Sequence, residues 1–534
     1  MYNVKNRINE IYDNFVKKAD SKKIGILTAI LFAVSLIPII HVGLHNYASG
    51  DDYWFSVLTY RAWVETGSVW ETIKASCKMV VKMYTEWQGT WFTLFLFTLS
   101  PNNFMENGYF LTVFIGLGLL IGSFSYLADF YLVKKMQFTK GAAAIVTCMI
   151  LYLVIQYMPR TTSGIFWFNG IMHYSVPLLL AVFAVVHTHK FAESKQIKDY
   201  IILLICFTLL GGGSYLAPIS ASLAAVLILV CQLEIKEFSF RERKIIWSYD
   251  WRNLWVLPVF AVELVGLAIS FMAPGNNVRG GEEFGFSVKW ALQCVYYAID
   301  RGIYLGADYF LLNGVNTVVY LILAVVIWNQ LWRVDREKVK FRLPLLFVIY
   351  MNGIYWASYT PEIYARSDVS GGVPNTYFHI FLIVTFANMI YVHGWVQDLL
   401  QKYWERKAQK EETDVENIKN ASIFSQNRYK YCIGFPGMVL GMILLVVVSM
   451  NSAVDTTNDY CFSAIKSGKL ERYAKVREEQ HRILSDESIK DAVVPEMGAP
   501  YPLLHMLLTD ENDSRNIDRA KYYNKNSVKA EKVK

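Results

Sequence analysis

Charge is scarce in this chain. Of its 534 residues 18% are Asp, Glu, Lys or Arg, against 54% hydrophobic, a balance outside the range of soluble globular domains. The seven cysteines (Cys77, Cys148, Cys206, Cys231, Cys294, Cys432 and Cys461) have no paired spacing, so neither a disulfide framework nor a zinc site is indicated. Those at 148, 206, 231 and 432 lie inside apolar runs, where cysteine behaves as a small hydrophobe. Internal repeats and long low-complexity runs are missing. So are the many short alternating segments that an outer-membrane barrel needs.

What the chain has instead is a series of apolar runs of roughly 15–25 residues, each long enough to cross ~30 Å of hydrocarbon. The fold class expected is all-α, a polytopic helical membrane protein. Candidate spans are 24–44, 109–131, 141–157, 174–190, 199–213, 215–233, 251–272, 309–332, 343–358, 374–396 and 431–450. The segment 88–100 is apolar but short, and reads as a re-entrant or interfacial helix or as the first half of another span. Gly211-Gly212-Gly213 makes 199–233 a tight hairpin or one broken helix. The first run follows Lys17, Lys18, Lys22 and Lys23, but it is long for a cleaved signal and no small-x-small site ends it. It reads as an uncleaved first helix.

Basic residues set the expected topology. If 88–100 does not cross, the amino terminus shares a side with Lys134, Lys135 and Lys140, and with Lys190, Lys195 and Lys198. Lys236, Arg241, Arg243 and Lys244 join them, followed by Arg333 to Arg342 and Lys402 to Lys410. By the positive-inside bias that side is cytoplasmic; Lys74, Lys78 and Lys82 are the exception. The division expected is a cytoplasmic segment 1–23, a membrane domain 24–450 and an exterior tail 451–534. Within the membrane domain, 45–108 is a first exterior loop and 397–430 a charged cytoplasmic linker. The tail reads as a small helical appendage ending in a disordered lysine-rich stretch. The net charge of +7 is largely topogenic and calls for no nucleic-acid partner.

The exterior side then receives four motifs. Gly50-Asp51-Asp52-Tyr53-Trp54 follows the first span, with Trp87-Gln88-Gly89 later in the same loop. Arg160 precedes Trp167-Phe168-Asn169-Gly170 and His173. Pro274-Gly275-Asn276 leads to Arg279, and Pro361-Glu362 leads to Arg366. Each has a bland explanation: Asp favours helix starts, Pro-Gly-Asn is an ordinary turn, and Trp and Tyr populate any membrane interface. Their coincidence on one side is more informative. A carboxylate can take a proton from an attacking hydroxyl, arginine forks bind phosphate oxygens, and aromatic faces suit sugar rings or lipid chains.

The arrangement resembles the GT-C class of membrane glycosyltransferases, which use polyprenyl-phosphate sugars and carry an acidic motif in the first exterior loop. More closely, the chain resembles a bacterial family of uncharacterised multi-pass proteins related to that class. Asp51-Asp52, Trp87-Gln88-Gly89, Trp167 to Gly170, Pro274-Gly275-Asn276 to Arg279, and Arg366 carry the likeness, which extends over residues 24–396. The resemblance implies a protein of the bacterial cytoplasmic membrane. It would move a sugar from a polyprenyl-phosphate donor to a hydroxyl of a cell-envelope glycan or lipid, with inversion. Asp51 or Asp52 would be the general base. Arg160, Arg279 and Arg366 would hold the leaving phosphate, and Glu362 could be a second acid. Trp87, Gln88, Trp167, Asn169, His173 and Asn276 complete the candidate binding set. One carboxylate could instead hold a divalent cation, though no accompanying ligand motif supports one. Two other readings stand beside this one. A transporter or flippase of a lipid-linked saccharide would use the glycine break and the intramembrane Glu263. The other is a non-catalytic subunit, a scaffold or accessory part of an envelope-polymer assembly.

Overall fold

Every predicted span corresponds to a helix in the computed structural model, which describes residues 21–239, 244–280, 287–312, 314–365, 371–422, 424–425, 429, 433–450, 454–504 and 509–533. Six stretches are long and apolar enough to cross a membrane: Ser21–Gly43, Gly108–Lys135, Phe168–Ser194, Trp251–Phe271, Gly314–Leu331 and Val373–Lys410. Lys140–Gln156, Leu216–Cys231 and Pro344–Ala357 are apolar but shorter, as are Ile197–Gly211 and Phe435–Met450. Proline starts several of them. Pro177, Pro258, Pro344 and Pro374 occupy the first turn of their helices, where the missing N–H costs nothing. Ile26, Leu27, Ile30 and Leu31 on the first helix are more than half exposed, and so are Leu264 and Val265 further on. Apolar surface on this scale is covered by lipid rather than water. The molecule is a helical membrane protein.

The largest core cluster is built where the helices Leu111–Ala128, Lys140–Gln156, Gly314–Leu331 and Val373–Lys410 meet, around Val113, Leu120, Ile145, Leu323, Ile327 and Leu382. Within 88–100 the helix is only Trp91–Phe97. Seven residues at ~1.5 Å each reach about 10 Å, far short of a crossing. Its first amides lean on the glycine turn: Phe92 N–H and Thr93 N–H donate to the Gly212 carbonyl at 2.9 and 3.3 Å. The helices on either side of that turn both pack along Val176–Ser194, so the chain reverses and 199–233 is a hairpin, not one broken helix. Glu263, 2% exposed, accepts a hydrogen bond from the Ser222 hydroxyl of the neighbouring helix, an interhelical tie.

Contacts sort the connecting segments into two groups at opposite ends of the bundle. At one end Lys135 pairs with Glu193, Lys195 with Asp250 and Arg336 with Asp398. At the other, the Asn46 amide donates to Phe166 O (2.6 Å) and the Asn375 amide to Arg160 O (2.9 Å). There too the Thr162 hydroxyl donates to Pro502 O and the Arg61 guanidinium to Lys521 O.

Several expectations change. The tail is not simply helical. Helices Thr457–Lys466, Lys469–Ser485 and Ser514–Tyr522 accompany a parallel strand pair, Asp491–Glu496 with Ser527–Lys532. The lysine-rich stretch expected to be disordered is that second strand, held because Val528 and Ala530 bury their side chains beside Leu484 and Val494. The loop 273–308 contains a 20-residue helix, Val288–Ala307. The span 374–396 runs on without a break to Lys410, and a short antiparallel hairpin, Glu234–Ser239 with Lys244–Ser248, follows the Leu216–Cys231 helix.

Candidate functional site

Asp51 and Asp52 open the helix Asp51–Thr66. Carboxylates are favoured in a first turn, where free N–H groups and the positive end of the helix dipole gather. The two neighbours do different work. Asp52 is 1% exposed. Its Oδ2 accepts from the Ser49 N–H at 2.9 Å and from the Tyr109 hydroxyl at 2.6 Å. The Tyr109 oxygen in turn accepts the Phe168 N–H at 3.1 Å, so one carboxylate ties three segments together. Burial pushes the Asp52 carboxyl up to about 7; the Tyr109 and Ser49 hydrogen bonds pull it down and the Asp51 charge adds to the rise. The Trp167 indole N–H lies near enough to favour the ionised form, but outside hydrogen-bond geometry.

Asp51 is half-buried, and its carboxylate has no hydrogen-bond partner among the described residues. Burial raises it above the ordinary carboxylate range, and the Arg515 guanidinium opposes that rise. Neither aspartate caps the helix, whose N-cap is Gly50 without a side-chain cap; Asp52 is the bonded member of the pair, and the carboxylate left open is Asp51.

A second cluster adjoins the first through Trp87, whose ring centroid lies 5.3 Å from that of Phe55 and 5.8 Å from that of Trp54. The motifs Trp87-Gln88-Gly89 and Pro274 to Arg279 dock face to face. The Gly89 N–H donates to Asn276 Oδ1 (3.3 Å), and the Asn276 amide donates to Ser270 O and Phe271 O at 2.8 and 2.9 Å. Arg279 donates from Nη1 to Gln88 Oε1 at 2.5 Å, with its guanidinium 5.1 Å from the Trp87 ring centre. Only glycine permits this approach at Gly89 and Gly275. A Cβ on Gly89 would stand 1.9 Å from Ser270 O, and one on Gly275 2.5 Å from Trp87 N. Gly89→Ala is therefore expected to destabilise the docked loops by about 1–3 kcal/mol, read as a lowered unfolding midpoint in detergent. A midpoint equal to wild type would show that the loops are not held together this way.

His173 reaches the same neighbourhood, its Nδ1 2.9 Å from Thr93 Oγ1, and it lies within the electrostatic reach of Arg279. Glu362 is half-buried, close enough to Tyr174 and Tyr377 to act on both. Asn169 is 1% exposed with neither amide atom hydrogen-bonded among the described residues. The structure does not bring Arg160 into this group: its backbone is bonded to Asn375, and its exposed guanidinium makes no ion pair or hydrogen bond with the described residues. Arg366 lies outside the described residues.

No protein-family model, curated protein or solved structure matches this chain. The chemistry is read from the residues themselves. Among the described residues no group of three or more His, Cys, Asp or Glu side chains could hold a metal ion. The set comprises one open carboxylate, one buried carboxylate that anchors it, and a guanidinium held over an indole. Such a carboxylate can accept a proton, and such a guanidinium can bind an oxyanion.

Three contributors were not anticipated from the sequence. Tyr109 is marked only by standing at the start of a span. Arg515 comes from the tail, as does Arg477, whose Nη2 donates to Ala48 O at 2.7 Å and clamps the loop before the acidic pair. Nothing local in the sequence connects residues more than 400 positions apart.

Proposed function

We propose that this protein is a GT-C-like membrane glycosyltransferase, with the acidic pair at the exterior end of the bundle and Asp51 as general base. The acceptor hydroxyl would give its proton to the Asp51 carboxylate while its oxygen forms a bond to the anomeric carbon of the donor. The bond from that carbon to the phosphate oxygen would break, its electron pair leaving with the polyprenyl phosphate, whose charge Arg279 would meet. Attack opposite the leaving group inverts the anomeric centre. Asp52, bound to Ser49 and Tyr109, would be a positioning residue. The basic patches would face the cytoplasm, as positive-inside bias requires, and the tail would lie outside with the site.

The observation that carries this reading is the division within the pair: Asp51 is half-buried with no hydrogen-bond partner among the described residues, while Asp52 is buried and bonded. It is tested with the full chain in vesicles supplied with radiolabelled polyprenyl-phosphate sugars and an extract of envelope glycans and lipids. The expected result is label in a new glycosidic linkage. Arg279→Ala is expected to slow that transfer at least tenfold, the loss of a charged hydrogen bond worth ~1.5–3 kcal/mol. Movement of labelled lipid across the vesicle with no glycosidic product would overturn the proposal in favour of transport.

A further inference from the structure

A cavity of about 380 Å³ lies on the other side of Tyr109, between the helix Asp51–Thr66, the turn at 102–107 and the tail helices. That volume lies within the range that takes a small ligand. Its mouth is edged by Val64, Phe104 and Met105, all exposed. One wall is flat and aromatic: Tyr60 and Tyr522 stack with centroids 3.9 Å apart and planes 11° apart, and Trp63 stands next to them. The floor is cationic. Arg477 and Arg519 are 5% and 2% exposed, and both donate to Gln480 Oε1, at 2.7 and 2.8 Å. Arg519 also faces the buried Glu496 carboxylate at 3.5 Å, while its own Nε is buried with no hydrogen-bond partner among the described residues. At the rim His481 pairs with Glu106 at 2.9 Å.

Two buried guanidiniums, Arg477 and Arg519, bring positive charge to the cavity, with the Glu496 carboxylate against Arg519 and the Glu106 carboxylate at the rim. The effect of the guanidiniums is visible on Tyr53, which lines the same cavity. Burial pushes the Tyr53 phenol up, yet Arg477 and Arg519 outweigh that and hold it below its ordinary value. Planar guanidiniums match a carboxylate or phosphate in shape as well as charge. Stacked aromatic faces beside amide and guanidinium donors suit the alternating C–H and O–H surface of a sugar ring, whereas a lipid chain would leave the donors unmet.

We infer that this cavity is a binding site for an acidic sugar, a saccharide carrying a carboxylate or phosphate, seated against Tyr60, Trp63 and Tyr522 with its anionic group toward Arg477 and Arg519. The site does not depend on the transfer chemistry at Asp51, and its test contains no donor, so the two proposals fail separately.

Calorimetric titration of the full chain in detergent is the experiment, with D-glucuronate and D-glucose 1-phosphate as acidic probes and D-glucose and inorganic phosphate as controls. Saturable binding of at least one acidic sugar is expected, at least tenfold tighter than either control. Arg519→Gln is expected to weaken that binding about tenfold or more. Because Arg519 is also part of the fold, Trp63→Ala at the mouth is the second variant, and it should weaken acidic-sugar binding without lowering the unfolding midpoint. Absence of saturable binding of both acidic sugars up to about 10 mM, binding of glucose or phosphate as tight as theirs, or full affinity in Trp63→Ala would each overturn the inference.

Discussion

Asp51→Asn is expected to lower the rate of sugar transfer by about 10²–10⁴-fold, the usual contribution of a positioned general base, while protein abundance and unfolding midpoint stay at wild-type values. The separation of the two effects follows from the geometry. The Asp51 carboxylate is half-buried and gives up no hydrogen bond to the described residues when it becomes an amide. What it does lose is a helix-terminus interaction of ~0.3–1 kcal/mol and its attraction to Arg515. Neither threatens the fold. The pH dependence carries a sign as well. Because burial holds Asp51 above the ordinary carboxylate range, the base is lost by protonation as pH falls, and the acid limb of the rate profile should sit higher than an exposed aspartate would place it. In Asp51→Asn the residual rate should lack that limb. A variant that transfers sugar at the wild-type rate would remove Asp51 from the mechanism, and a collapsed unfolding midpoint would make it a structural residue.

How much of this was legible beforehand depends on the distance over which each residue acts. Apolar runs announce helices through their own composition, so 109–131 and 251–272 lie close to the helices Leu111–Ala128 and Leu257–Phe271. Docking of Trp87-Gln88-Gly89 on Pro274 to Arg279 was foreshadowed only as coincidence on one side of the bundle. What joins them is backbone approach at Gly89 and Gly275, which a sequence marks with nothing but the glycine letter. The tail was read poorly because its strands are short and charged, and Ser527–Lys532 pairs only by reaching back to Asp491–Glu496. The roles of the two aspartates were out of reach for the same reason. Side by side in sequence they look equivalent, and they are distinguished by the Ser49 N–H and by Tyr109, 57 positions away, on Asp52 and by Arg515 facing Asp51. Arg160 stands apart from the cluster in which it was expected: it is exposed, with its backbone committed to Asn375.

Asp52→Asn should behave unlike its neighbour, raising stability at high pH and not at low. The native carboxyl sits at about 7 against an ordinary value of 3.8. The folded protein therefore keeps a proton at Asp52 over a range in which the unfolded chain has released it. Stability from this group is fully present below about pH 4 and is lost progressively as pH rises through 7. A shift of this size corresponds to about 4 kcal/mol between the two limits. An amide has no charge to bury, and its oxygen can still accept from Tyr109 and Ser49. Its NH₂ group, however, enters a buried place with no acceptor for it, at a cost of ~1–3 kcal/mol. The balance favours the variant at pH 8, where the wild type carries the ionised carboxylate, and the advantage should vanish or reverse near pH 5. Unfolding midpoints in detergent at the two pH values measure it directly. If the variant were less stable by the same margin at both, the wild-type carboxylate would be ionised throughout and its ties to Tyr109 and Ser49 would be stabilising in the charged form. Transfer activity supplies the other half of the argument: with Asp51 intact and the helix start still anchored, Asp52→Asn should keep far more activity than Asp51→Asn.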